Sequence, residues 1–461
     1  MSRLLMPSFT PRRVGLTSTR MLALGLLLLV ATGARAEDDP TNDPGNDPGN
    51  APAKYLGVVT CAGSTCHGAP RSSADARVLQ NEFITWHRDD AHAKAYRVLL
   101  EDKAKRIAAN LGIESAANAP ECLNCHANNA PVALRGKRFQ IADGVGCETC
   151  HGPASKWLGL HVTGEASREQ NLQAGMYPTE EPGARATLCL SCHLGTNNKF
   201  ATHRILGAGH PRLSFELDTF TMLQPAHYRI DADYRSRKRV PAHVQVWAIG
   251  QAAAAKRTLD LFLSEEWQSK GVMPEFAFFD CHACHHPMDA PRWTPRATAG
   301  LPPGVVRLND ANVLMLLYLT KAIEPAAADE LHHGLLALHK ASTESLAATQ
   351  TAARALQLSV TKAEGQIRSH GFNPQETRAI LMSIVNGGIA GDYRDFAAAE
   401  QAVMGIHALT DSLRDSGATD ATQISALQAQ IKVLYTLLED QNAYDSARFR
   451  AELTALETTL N

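Results

Sequence analysis

The chain has 461 residues, 45 lysines and arginines against 47 acids, and only 6% aromatic residues. Its length allows two or three domains. Its near-balanced, slightly acidic charge gives no electrostatic case for nucleic acid as a partner, and the scarcity of Phe, Tyr and Trp asks what else fills the interior.

The N-terminus has the layout of an export signal. Arg3, Arg12, Arg13 and Arg20 form a basic start, Met21 to Ala31 is an apolar run, and Ala34-Arg35-Ala36 is a small-x-small cleavage site. The run is too short for an ordinary membrane span. Residues 1–36 are therefore expected to be a signal peptide cleaved near Ala36, leaving a periplasmic chain with no membrane span. Cleavage leaves 40 basic and 47 acidic residues, a net charge of −7. Residues 37–54 repeat Asn-Asp-Pro-Gly from Asn42 and hold few apolar residues, as a disordered linker does.

Next come the cysteines, all ten in five pairs. Cys61 and Cys66 are four residues apart in the spacing between them; Cys122/Cys125, Cys147/Cys150, Cys189/Cys192 and Cys281/Cys284 are Cys-x-x-Cys. A histidine follows the second cysteine every time: His67, His126, His151, His193 and His285. Zinc sites and redox dithiols also use Cys-x-x-Cys, but neither needs that histidine. With 19 histidines in 461 residues, five chance placements amount to roughly one in ten million. The pattern is the attachment signature of c-type haem, in which two thiols add to the porphyrin vinyl groups and the histidine becomes an iron ligand. Five covalently attached haem c groups are expected. They would use the cysteines that an exported chain ordinarily pairs as disulfides, and they would fill the aromatic-poor interior. Residues 55–290 allow roughly 47 residues per haem, too few for separate cores, so the haems must share walls.

The second iron ligand decides function. An iron held by two histidines passes electrons, whereas one with an open face binds a small molecule. His92, His161, His203, His210 and His227 are the candidate second ligands. His92 lies in Trp86-His-Arg-Asp-Asp-Ala-His-Ala-Lys-Ala-Tyr96, read as running on into a helix, with His87 about 140° round it. His161 can reach a neighbouring haem rather than that of His151. His282 and His286 adjoin the last motif and are poorly placed for their own iron. Between residues 61 and 290 nine histidines besides the five motif ligands exceed the five needed, so counting reveals no open iron. Arg135, Lys137 and Arg138, and the run Arg235 to Arg239, are basic patches suited to pairing propionates or facing solvent, or to guiding an anion or acidic partner.

The fold expected is mainly α with little regular sheet. A multihaem cytochrome c domain spans 55–295, made of short helices joined by Gly- and Pro-rich loops, and a helical bundle spans 300–461. In the bundle, Asn309 or Asp310 caps a helix to about Ile323, and Pro325 breaks it. A long Ala/Leu-rich segment follows from about Ala328 to Arg368. Asn373-Pro374 with Glu376 starts a helix that Gly387-Gly388 stops. Another helix covers Tyr393 to Leu413. The last starts near Thr419-Asp420, and its Ile424, Leu427, Ile431, Leu434 and Leu438 form an a/d seam. That seam can pack within the chain or join an oligomer.

Three segments carry a resemblance: Trp86 to Tyr96, Gly144-Val-Gly-Cys-Glu-Thr-Cys-His-Gly-Pro153, and Cys189-Leu-Ser-Cys-His193. Over roughly residues 55–230 the chain resembles the cytochrome c-554 family of multihaem cytochromes, a relative of the hydroxylamine oxidoreductase group. The resemblance implies four haems on His67, His126, His151 and His193, second ligands at His92 and His161, and an open iron at His126. It implies electron carriage, with a link to nitrogen-oxide chemistry. The chain departs from the family in its longer first motif, its fifth motif and its helical C-terminal third. The resulting expectation is electron transfer through closely packed haems between redox partner proteins. The alternative is a haem enzyme acting on a small nitrogen or sulfur compound at one five-coordinate iron. A third reading makes the C-terminal bundle the working part.

Overall fold

A computed structural model describes residues 52–461, apart from 74–77, 269–273, 286–295, 297 and 303. The export signal and most of the linker lie outside the described residues. The fold is mainly helical with little strand.

The haem region is built from short helices: α1 (Glu82–Asp89), α2 (Asp102–Leu111), α3 (Pro120–His126), α4 (Cys147–His151), α5 (Leu158–Thr163), α6 (Arg168–Gln173) and α7 (Pro182–His193). A two-stranded hairpin follows, β1 (Gly195–Thr196) against β2 (Lys199–Phe200), with Gly195 opposite Phe200. Then come α8 (His203–Gly207), α9 (Leu217–Leu223) and α10 (Ala232–Arg237). Three of these helices end on a motif histidine. The reason is geometric. Residues i, i+3 and i+4 share one helical face, so one turn carries both thiols and the imidazole on one side. Cys61 to His67, with its longer spacer, forms a turn instead.

The next helices form the main core: α11 (His243–Leu263), α12 (Glu265–Gln268), α13 (Ala311–Ile323), α14 (Pro325–Ser342), α15 (Leu346–Ser369), α16 (Pro374–Ile389), α17 (Phe396–Asp415), α18 (Ala421–Thr436) and α19 (Ser446–Leu460). Helix α11 is apolar nearly all round and buried along its first three turns, as a central helix must be. It packs on α7, which carries the fourth motif, and on α9, and also on α13, α15 and α17 of the bundle. The core therefore runs across residue 300, and from Ala53 on the chain forms one unit.

Several boundaries differ from the sequence reading. Pro325 opens α14 as its first residue, where its missing N–H costs nothing. The 328–368 segment is two helices, because Ser345 turns the chain and caps α15 through the Ala348 N–H at 3.1 Å. The Asn373/Glu376 capping box forms as read. Gly387 and Gly388 do not stop α16. They let it pass close to its neighbours: a Cβ on Gly387 would lie 2.2 Å from Tyr318. The chain turns instead at Gly391, with φ of +96°. Helix α19, unforeseen in the sequence, joins α17 in covering α18, and the seam residues Ile424, Leu427, Ile431 and Leu434 are buried inside the chain.

A buried charge network joins the fifth motif to the bundle. Asp280, just before Cys281, accepts from Arg307 at 2.8 Å, and Arg307 also meets Asp395 at 2.9 Å. Arg296, with no side-chain exposure, pairs with Asp310, and His339 Nε2 donates to the same carboxylate at 2.8 Å. Burial alone would raise the Asp310 carboxyl, but Arg296 and His339 outweigh it and hold it well below the usual carboxylate range. A depressed carboxylate stabilises the fold above its unfolded pKa, about 4, and that contribution is lost as pH falls further.

Two outcomes follow. Asp310→Asn leaves Arg296 buried without its main counter-charge and should cost about 3–5 kcal/mol; the denaturant midpoint should fall, and the acid-side loss of stability below about pH 4 should shrink. Gly387→Ala should cost about 1–3 kcal/mol through overpacking against Tyr318, read by thermal denaturation.

Candidate haem sites

Five pairs of imidazoles face one another, and each contains one motif histidine. His67 faces His161 with ring centres 6.0 Å apart, His126 faces His210 at 6.2 Å, and His151 faces His227 at 6.2 Å. His193 faces His92 at 6.1 Å, and His285 faces His203 at 6.1 Å. A metal bound by two imidazoles through nitrogens about 2 Å away separates their ring centres by roughly 6 Å. The pairs thus have the spacing of two axial ligands on one iron.

Hydrogen bonds set the ring orientation. The Nδ1 atoms of His67 and His92 lie 3.0 and 2.9 Å from carboxylate oxygens of Glu82 and Asp90. His126 Nδ1 lies 3.0 Å from the Ala95 carbonyl, and His210 Nδ1 2.8 Å from that of Pro211. With Nδ1 donating, Nε2 keeps its lone pair for a metal. Hydrogen bonds to Glu82 and Asp90 raise the pKa of His67 and His92 respectively. Burial lowers those of His193 and His210, and pushes His151 down to about 4, the neutral form that ligates. Burial would raise Asp90, yet bonds from His92 and from Gln224 Nε2, 3.0 Å away, bring it to about 2.

The surroundings also fit porphyrin. All ten cysteines are free thiols. Of the fourteen exposed large hydrophobic side chains described, twelve lie between Val59 and Phe276, beside the motifs. Apolar surface of that extent marks a binding face, here the walls of a flat apolar cofactor.

Backbone contacts lock the motifs together. Glu148, between Cys147 and Cys150, is buried and accepts from the Leu56, Gly57 and Ala154 N–H groups at 2.7–2.8 Å. Val145 N–H donates to the His92 carbonyl at 3.1 Å. Gly144, at φ +70°, allows that approach, since a Cβ would stand 2.9 Å from the same oxygen. Lys199 Nζ spans Asn124 O at 3.2 Å and Cys192 Sγ at 3.0 Å, tying the second motif to the fourth.

Each of the five candidate second histidines stands opposite a motif histidine, but the partners could not be read from the sequence. His161 meets the first motif and His92 the fourth. The segment Trp86 to Tyr96 is not one helix, because Asp90 turns the chain and caps a short 3-10 turn holding His92. The resemblance implied an open face at His126; His210 occupies that face. His87 stacks on Phe83 instead, 5.6 Å away. His282 lies beside Phe396, and His286 falls outside the described residues. Arg135 bonds the Ala130 carbonyl, and in the second patch Arg237 pairs with Asp233. Glu82, Asp90, Gln224 and Glu148 escaped the sequence reading. Only Asp90 left a signal, as an Asp two residues before a histidine at a helix start.

Among known families, the one described as cytochrome c554 and c-prime matches residues 55–152, about a fifth of the chain. No curated protein and no solved structure matches the chain.

Glu148→Ala strips three buried N–H groups of their acceptor, at about 1–3 kcal/mol for each group left unpaired. The holoprotein should denature at clearly lower denaturant concentration, whereas a surface variant such as Glu169→Ala should not shift.

Proposed function

We propose, for a chain that residues 55–152 place in the cytochrome c554 family of c-type cytochromes in electron transfer, that it is a five-haem electron carrier of the periplasm. Haem c is the family's cofactor, and when bound it supplies the one-electron iron couple. The observation that carries the reading is the set of five facing imidazole pairs. On this reading His67, His126, His151, His193 and His285 hold iron on the motif side, and His161, His210, His227, His92 and His203 hold the other side. The ten cysteines anchor the rings.

The residues do three things. They would hold each iron between two imidazole nitrogens. They keep the five sites close enough to share walls, as the Lys199 and Glu148 contacts do. They also tune the sites, because Glu82 and Asp90 make His67 and His92 stronger donors, while Ala95 and Pro211 carbonyls do less for His126 and His210. The five facing pairs favour carriage over catalysis at an open iron, which needs a motif histidine with nothing opposite. Electrons would pass between redox partner proteins. Export rests on the basic start, the apolar run and the Ala34-Arg35-Ala36 site; among the described residues no helix is long and apolar enough to cross a membrane.

A haem count by alkaline pyridine should give five per chain, and the native protein should show no high-spin iron and bind neither nitric oxide nor cyanide promptly. In His210→Ala one iron of the five should become high-spin and take up nitric oxide. A count below five, or a nitric-oxide-binding iron in the native protein, would sink the reading.

A further inference from the structure

The five sites are not equivalent, and three independent observations divide them the same way. The first is exposure. Among the ten thiols, Cys66 and Cys284 alone are exposed; they belong to the first and fifth motifs. Of the four histidines at these two motifs, His161, His203 and His285 are exposed and His67 is half-buried, whereas the six paired at the second, third and fourth motifs are all half-buried.

The second is adjacency. Glu148 of the third motif accepts from the Leu56 and Gly57 N–H groups just ahead of the first motif, joining the first to the third. Cys150 lies near Cys189 and Cys192, joining third to fourth. Lys199 joins fourth to second. The fifth motif meets the stretch between the fourth motif and His210: Phe278 stacks on Phe200 at 5.1 Å, and Glu275 accepts from the His203 N–H at 2.6 Å. His203 and His210 are seven residues apart along one short helix and its exit, so the fifth site borders the second. The path is first, third, fourth, second, fifth.

The third is ring geometry. The imidazole planes meet at 11° in the first pair and 28° in the fifth. They meet at 84°, 88° and 86° in the second, third and fourth. Parallel ligand planes act on the same iron d orbital and split the upper pair, while perpendicular planes act on both alike. Axial-ligand arrangement is one of the protein's levers on the iron.

We propose that the haem positions of His67 and His285 are the two solvent-facing terminals where partner proteins exchange electrons, and that those of His151, His193 and His126 are interior relays between them. This rests on the five-haem carrier reading. At the fifth position the rim is apolar: Phe276, 54% exposed, stands edge-on to His203 at 5.6 Å. It suits a protein partner that presents its own cofactor edge across a dry contact.

The test is electron paramagnetic resonance of the fully oxidised holoprotein, with and without a soluble dysprosium chelate as relaxing agent. Two rhombic low-spin signals are expected from the near-parallel pairs and three large-g signals from the perpendicular ones. The chelate should speed relaxation of the rhombic signals several-fold and leave the large-g signals nearly unchanged. The double variant Cys281→Ala/Cys284→Ala should lose one rhombic signal and keep all three large-g signals. Relaxation of the large-g signals as strong as that of the rhombic ones, or loss of a large-g signal in the double variant, would overturn the assignment of terminals. Failure of the carrier reading looks different: a high-spin signal or fewer than five haems in the native protein.

Discussion

Two imidazoles must stand about 6 Å apart across a gap wide enough for a metal, and this chain meets that demand five times. The partners come from far apart in sequence, as with His92 and His193 or His67 and His161. No local element can deliver such a pair. The haem region accordingly has short helices, three of which end on a motif histidine, and the opposing histidines come from short helices and turns elsewhere in the chain. Long helices would give a better backbone core but would carry those histidines away.

A region built this way has little core of its own. Twelve of its large apolar side chains are exposed, and its smaller clusters around Leu99 and Leu190 are modest. Rigidity comes from specific polar contacts. Glu148 holds three backbone N–H groups from before the first motif and after the third, Asp90 holds His92 and Gln224, and Lys199 crosses from motif to motif. The C-terminal helices supply the rest. Helix α11 threads from the haem region into the main core, and the Asp280–Arg307–Asp395 chain of ion pairs runs from the fifth motif to the start of α17. A buried network of this kind is weak as a source of stability but fixes a unique arrangement when each charge is answered. Here that arrangement positions the outermost site.

Much was legible in the residues. The five motifs, their histidines and the pool of second ligands are one-dimensional facts, because attachment chemistry demands fixed spacing. The helices with strong signals, such as the one begun by Asn373 and Glu376, came out where their caps put them. The misreadings came from local signals that tertiary contacts overrode. Gly387 looked like a stop, but it serves the approach of Tyr318. Asp90 looked like part of a helix, but its side chain turns the chain. Helix α19 did carry a signal that the sequence reading passed over: Phe449, Leu453, Leu456 and Leu460 recur by four and three behind the Asp445 cap.

The sequence by itself determined the candidates: five cysteine pairs each followed by a histidine, the pool of further imidazoles, and a match to the cytochrome c554 and c-prime family model over residues 55–152. The tertiary structure alone decided which imidazole faces which, including the position of His210 opposite His126. The physical reason is that thioether attachment is local, acting within one turn of chain, whereas axial ligation joins two points whose separation is set by how every intervening segment folds.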